Sequence, residues 1–142
     1  MIPKNPRLAY GFLSTSYLGR GRDREALDAR LKALELGGDT ERLDAYRAAY
    51  AQGGYAATAR WELKKLKDRS RVGYVSPFDL AALCARSGEA EEAFQWLERA
   101  FHEHSDRLVF LHVDGAFDGI RGDRRFADLV RRVGLPPSVP AP

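Results

Sequence analysis

Three histidines and a run of acids invite a metal reading first. His102, His104 and His112 fall close to Glu103, Asp106 and Asp114. Zinc needs side chains that converge on one point at about 2 Å. His102 and His104 are two residues apart, so on a helix they point to nearly opposite sides. The histidines therefore read as a solvated helix end, and no metal or other cofactor is expected. Cys84 is the only cysteine. It falls in an apolar stripe with Leu80 and Leu83, and the sequence supplies no base to activate it, so it reads as a small buried hydrophobe. Glu89, Glu91, Glu92, Glu98 and Glu103 fall on or near one helix and read as first-turn and solvent-facing charges. The glycines of Gly19-Arg20-Gly21 and Gly53-Gly54 have no strand before them and no lysine-serine pair after them, so they form no phosphate loop. No catalytic constellation emerges, and the chain is expected not to be an enzyme.

Charge narrows the partners further. Twenty-three basic and twenty acidic residues in a chain of 142 leave a net charge of +3. That balance does not call for a nucleic-acid partner. The most basic stretch carries Arg121, Arg124, Arg125, Arg131 and Arg132, and it reads as a solvated surface rather than a nucleic-acid site. The longest strongly apolar run, Leu108 to Leu111, is far short of the about 20 residues that cross a bilayer. The N-terminus lacks the apolar stretch of a secretory signal. A lone thiol and no export signal give a cytoplasmic expectation with no membrane partner. Composition, at 44% hydrophobic and 30% charged, fits a folded chain.

The elements that must position any surface show themselves as a repeat. Ala26, Ala59 and Ala93 are separated by 59 − 26 = 33 and 93 − 59 = 34 residues. Gly21, Gly54 and Gly88 each stand five residues before these alanines, and Tyr17, Tyr50 and Cys84 stand four before the glycines. Each unit reads as helix, glycine turn, helix. Tyr10, Leu13 and Tyr17 form the first stripe, and Asp23 is placed to cap the helix that carries Ala26, Leu27, Leu31 and Leu34. Leu43, Tyr46 and Tyr50 precede the Gly53-Gly54 turn, and Ala59, Leu63 and Leu66 follow it. Ser76-Pro77 opens the third unit as cap and first helical residue. Leu80, Leu83 and Cys84 follow, and after Gly88 come Ala93, Trp96, Leu97, Ala100 and Phe101. The small residues, with Ser14, Ala33 and Ala81, mark the closest approach of paired helices. Beyond them Asp123 is placed to cap a last helix with Phe126, Leu129, Val130 and Val133 on one face, stopped by Gly134.

This pattern resembles the tetratricopeptide repeat family. The first unit carries the resemblance through Tyr10, Leu13, Tyr17, Gly21, Ala26 and Ala33, and the third through Leu80, Ala81, Gly88, Ala93, Leu97 and Ala100. The middle unit departs from it at Arg47 and Leu66, where smaller residues are usual. The resemblance implies an all-α, right-handed solenoid of three helix-turn-helix units (about 7–39, 40–73 and 74–107) in a single domain over 1–142. A helical C-terminal cap would span 108–135, and a tail 136–142. The stretch from Tyr74 to Pro137 also looks like the closing segment of bacterial arrays fused to transcriptional regulators and signalling kinases. That impression rests on Tyr74-Val75-Ser76-Pro77-Phe78, Asp114 to Asp118, Asp123 to Phe126 and Gly134-Leu135-Pro136. Proline is usual there where Gly115 and Arg124 stand. Two readings of Pro3-Lys4-Asn5-Pro6 stand side by side: the linker ending a preceding repeat, or the opening of the first helix.

In that family the first helix of each unit lines a groove that holds a partner protein or peptide. The resemblance places Phe12, Thr15 and Leu18 there from the first unit, Asp44, Ala48 and Gln52 from the second, and Phe78, Asp79, Ala82 and Arg86 from the third. Packing between helices is the competing role, above all for Phe12 and Phe78. Gly11, Thr15 and Asp44 replace the polar clamp that chaperone-binding relatives use, so acidic chaperone tails are not expected partners. The implied function is a protein–protein interaction scaffold or regulatory module. The alternative is an accessory module of a DNA-binding regulator or kinase system with a basic C-terminal surface.

Overall fold

The computed structural model describes residues 5–135, so the expected tail 136–142 lies outside the described residues. Every regular element among the described residues is helical, as the periodicity requires. In chain order they are α1 (Pro6–Gly19), α2 (Asp23–Leu36), α3 (Thr40–Ser70), α4 (Pro77–Arg86) and α5 (Ala90–His102). Two 3-10 segments follow, Asp106–Phe110 and Gly115–Ile120, and then α6 (Arg124–Val133).

The glycines do what their spacing predicts. Helix α3 is broken at Gly53–Gly54, where Gly54 adopts φ 70° and ψ −158°, a region open essentially only to glycine. A positive-φ glycine thus stands at the turn of each expected helix pair, at Gly21, Gly54 and Gly88, and a fourth, Gly38, lies between α2 and α3. Gly134 ends α6 in the same way, with φ 86°. The caps follow the sequence less closely. Asn5 accepts from the Arg7 amide and Asp123 from the Arg125 amide, each satisfying an orphan helix donor. Asp23, by contrast, is the first residue of α2 and not its cap. The Arg22 carbonyl already accepts from the Ala26 amide, which starts the helix one residue earlier. Asp23 and Glu25 then complement the dipole from the first turn. Ser76 takes the extended cap conformation before Pro77, but its hydroxyl makes no capping bond.

The chain divides into two compact units, residues 1–61 and 62–142. In the first, α1 packs on α2 through small residues. Ala26 is fully buried, and the buried Ser14 hydroxyl donates to its carbonyl at 2.7 Å. Leu27, Leu34 and Tyr46 form a modest core, with the Trp61 ring edge-on to Tyr46 at 5.9 Å. The second unit holds the larger core. It runs from Leu63 through Phe78, Leu80, Cys84, Ala93 and Leu97 to Leu111, Phe117, Phe126 and Leu129. Helix α4 packs on α5, the 106–120 segment lies across α4, and α6 packs on α5. Phe117 is fully buried between Phe78, at 5.3 Å, and Phe126, at 6.3 Å. Each such ring taken from water contributes about 1.5–3 kcal/mol, so this segment is part of the core and not a loose extension.

Candidate interaction surface

The side chains that could do chemistry are placed as follows. Among the described residues no group of histidine, cysteine and carboxylate side chains could hold a metal ion. His102 and His104 are exposed at the end of α5. Cys84 is fully buried, and burial pushes its thiol up to about 12, with the Glu92 charge adding to the shift. A thiol so protonated is a poor nucleophile. The buried hydroxyls serve the backbone: Thr58 donates to the Tyr55 carbonyl at 2.6 Å and Ser87 to the Leu83 carbonyl at 2.7 Å.

The ten residues placed in the groove by resemblance divide between the two units. In the first unit Phe12 is 66% exposed, Thr15 is exposed and Leu18 is half-buried on α1. Asp44, Ala48 and Gln52 are all exposed along the first half of α3, at the four-residue spacing of one helix face. Phe12 and Thr15 line an open cleft of about 470 Å³ together with Leu8, Gly11 and Arg30. Leu8 was not among the sequence-derived candidates. The signal for it was present, because Leu8 stands four residues before Phe12 and is 54% exposed.

The second unit treats its candidates differently. Phe78 is 1% exposed and packs on Phe117, so its role in this structure is packing. Asp79 pairs with Arg107 at 2.6 Å, and the Arg107 guanidinium lies 5.2 Å from the Phe78 ring centre. Arg86 faces Asp114 at 3.9 Å. Ala82 is half-buried. The chain's own 106–120 segment thus engages three of the four α4 residues named for a partner.

Arg125, Arg131 and Arg132 of α6 are engaged as well. Arg125 bonds Glu91 at 2.8 Å and Asp123 at 2.9 Å, and it lies 4.3 Å from the Phe94 ring centre. Seven residues on, Arg132 bonds Glu98 and lies 5.0 Å from the Phe101 ring centre. Two Glu-Phe-Arg clamps, one helical heptad apart, therefore tie α6 to α5. Hydrogen bonds from Arg125 and Arg132 hold the Glu91 and Glu98 carboxyls below their usual range, and those from Arg125 hold Asp123 at about 2. These bonds commit Arg125 and Arg132 to holding α6 against α5. The signal in the sequence was the shared seven-residue interval, 98 − 91 and 132 − 125.

No family model matches the chain, and no curated protein and no solved structure matches it. Among the described residues no helix is long and apolar enough to cross a membrane.

Proposed function

We propose that this chain is a tetratricopeptide-like interaction module that holds a partner protein or peptide and does not turn it over. The observation that carries this reading is the thrice-repeated helix, positive-φ glycine, helix arrangement, with Ala26, Ala59 and Ala93 each at most 3% exposed five residues after the glycine. Helical hairpins that share one packing rule are the building blocks of repeat modules, which present extended binding surfaces. Support for placing the contact on first-helix residues is strongest in the first unit, where Phe12, Thr15, Asp44, Ala48 and Gln52 are exposed. Exposed side chains of mixed apolar and charged type suit a peptide with an apolar anchor.

The test uses Phe12→Asp and Asp44→Lys, since Asp79 and Arg86 also hold the 106–120 segment. A partner is first identified by affinity capture and mass spectrometry, and its affinity for purified wild-type and doubly substituted chains is then measured by calorimetry. The double variant is expected to lose at least about tenfold in affinity, about 1.4 kcal/mol. Its thermal midpoint should stay close to that of wild type, because exposed positions contribute little to stability. Unchanged affinity would move the contact away from these helices.

A further inference from the structure

Beside α6 lies an open slot of about 480 Å³. Phe126, Ala127 and Val130 form its floor, and His112, Arg121 and Arg131 stand around it. Every ionisable side chain lining this slot is basic. The acids that bond these arginines, Asp118 and Asp128, do not line it.

The rim is prepared in advance. Arg121 donates from Nε to Asp118 at 2.7 Å, from Nη1 to the Leu111 carbonyl at 3.0 Å and from Nη2 to the Asp114 carbonyl at 2.8 Å. Its guanidinium lies 5.5 Å from the Phe126 ring centre. A guanidinium has five N–H donors, so two remain. A side chain already fixed loses little conformational freedom when it meets a ligand. Arg131, with 78% of its side chain exposed, pairs with Asp128 of its own helix and adds a second guanidinium to the lining. Ala127 is exposed between the buried Phe126 and Val130, and its small side chain leaves the slot open.

We propose that this slot binds an acidic peptide segment of a partner protein, with a large apolar side chain over Ala127 and Val130 and flanking carboxylates against Arg121 and Arg131. Apolar floor and basic rim match that chemistry and disfavour a basic segment. The site goes beyond the first-helix reading, because none of the ten residues named there lines it.

Fluorescence anisotropy tests it on the full chain. The probe is a fluorescein-labelled hexapeptide with two central leucines and two glutamates on each side. A matched peptide carrying lysines instead of glutamates is the control, at about 0.15 M salt. The glutamate peptide is expected to bind saturably and at least about tenfold tighter than the lysine peptide. Arg131→Glu, which reverses the charge, and Ala127→Trp, which fills the slot, should each weaken it by about tenfold with little change in thermal midpoint. Phe12→Asp should leave this binding untouched, so the two surfaces fail independently. Equal binding of both peptides, or full binding by both slot variants, would overturn the proposal. So would glutamate-peptide binding seen only after residues 136–142 are deleted, which would make the chain's own tail the occupant. A dimer dissociated by Ala127→Trp would assign the slot to a second copy and overturn it as well.

Discussion

His104 is the one non-glycine residue with positive φ among the described residues, at 54°. It stands just after α5, where the Ser105 amide reaches back to the Ala100 carbonyl at 3.0 Å and the His104 amide to the Phe101 carbonyl at 3.1 Å. The corresponding left-handed positions elsewhere are filled by Gly21, Gly38, Gly88 and Gly134. A side chain in this conformation costs about 1–2 kcal/mol, and glycine recovers part of that while losing more chain entropy on folding. His104→Gly is therefore expected to stabilise the protein by about 0.5–1 kcal/mol. The check is a higher denaturant midpoint with an unchanged slope; a lower midpoint would show that the histidine side chain makes a compensating contact.

At the scale of elements, the two Glu-Phe-Arg clamps decide how α6 is held. Their carboxyls, Glu91, Glu98 and Asp123, all titrate lower in the folded chain than in the unfolded one. The sign follows from that depression. The unfolded chain takes up these protons first, so the stabilisation is complete above the unfolded values, about 4.3 for Glu and 3.9 for Asp. It is lost as pH falls through the folded values, down to about 2 for Asp123. Arg125→Met with Arg132→Met should flatten the fall in thermal midpoint between about pH 4.3 and pH 2, while the rings of Phe94 and Phe101 stay covered. An acid limb as steep as in wild type would show that other carboxylates govern the loss. The same clamps explain why an arginine-rich helix in this chain is a structural element first.

At the scale of the whole molecule, the two units carry unequal cores. The first rests on Leu27, Leu34 and Tyr46, and the second on an apolar cluster that includes four fully or almost fully buried aromatics and leucines from α4 and the 106–120 segment. Local opening is easiest where few apolar contacts are buried. Amide hydrogen exchange is expected to be faster across α1 and α2 than across α4 and α5. Phe126→Ala removes a ring that is 4% exposed and should cost about 3–5 kcal/mol. It should therefore lower protection throughout α4, α5 and α6 and leave α1 and α2 unchanged. Equal protection in both units, or a loss confined to α6, would refute this picture.

The helices, the glycine turns and the small residues between paired helices are legible in the sequence. Those features are local: a left-handed turn needs glycine within one hairpin, and a periodic stripe shows which face is apolar. The sequence also placed Cys84 in the core and Phe126 on the apolar face of its helix. Gly122 and Ala127 repeat the Gly88 and Ala93 spacing 34 residues on, yet Ala127 is exposed, and the apolar stripe of Phe126, Leu129 and Val130 marks the buried face of α6. What covers each face is set by contacts between segments far apart in the chain. Phe78 and Asp79 have the spacing of a partner-facing surface, but Phe117 and Arg107 reach them from about 39 and 28 residues away in the chain. The same holds for the slot beside α6, whose basic rim joins His112 and Arg121 to Arg131 across separate elements. Contacts between segments distant in sequence depend on how the chain returns on itself, and no periodicity within one helix encodes that return.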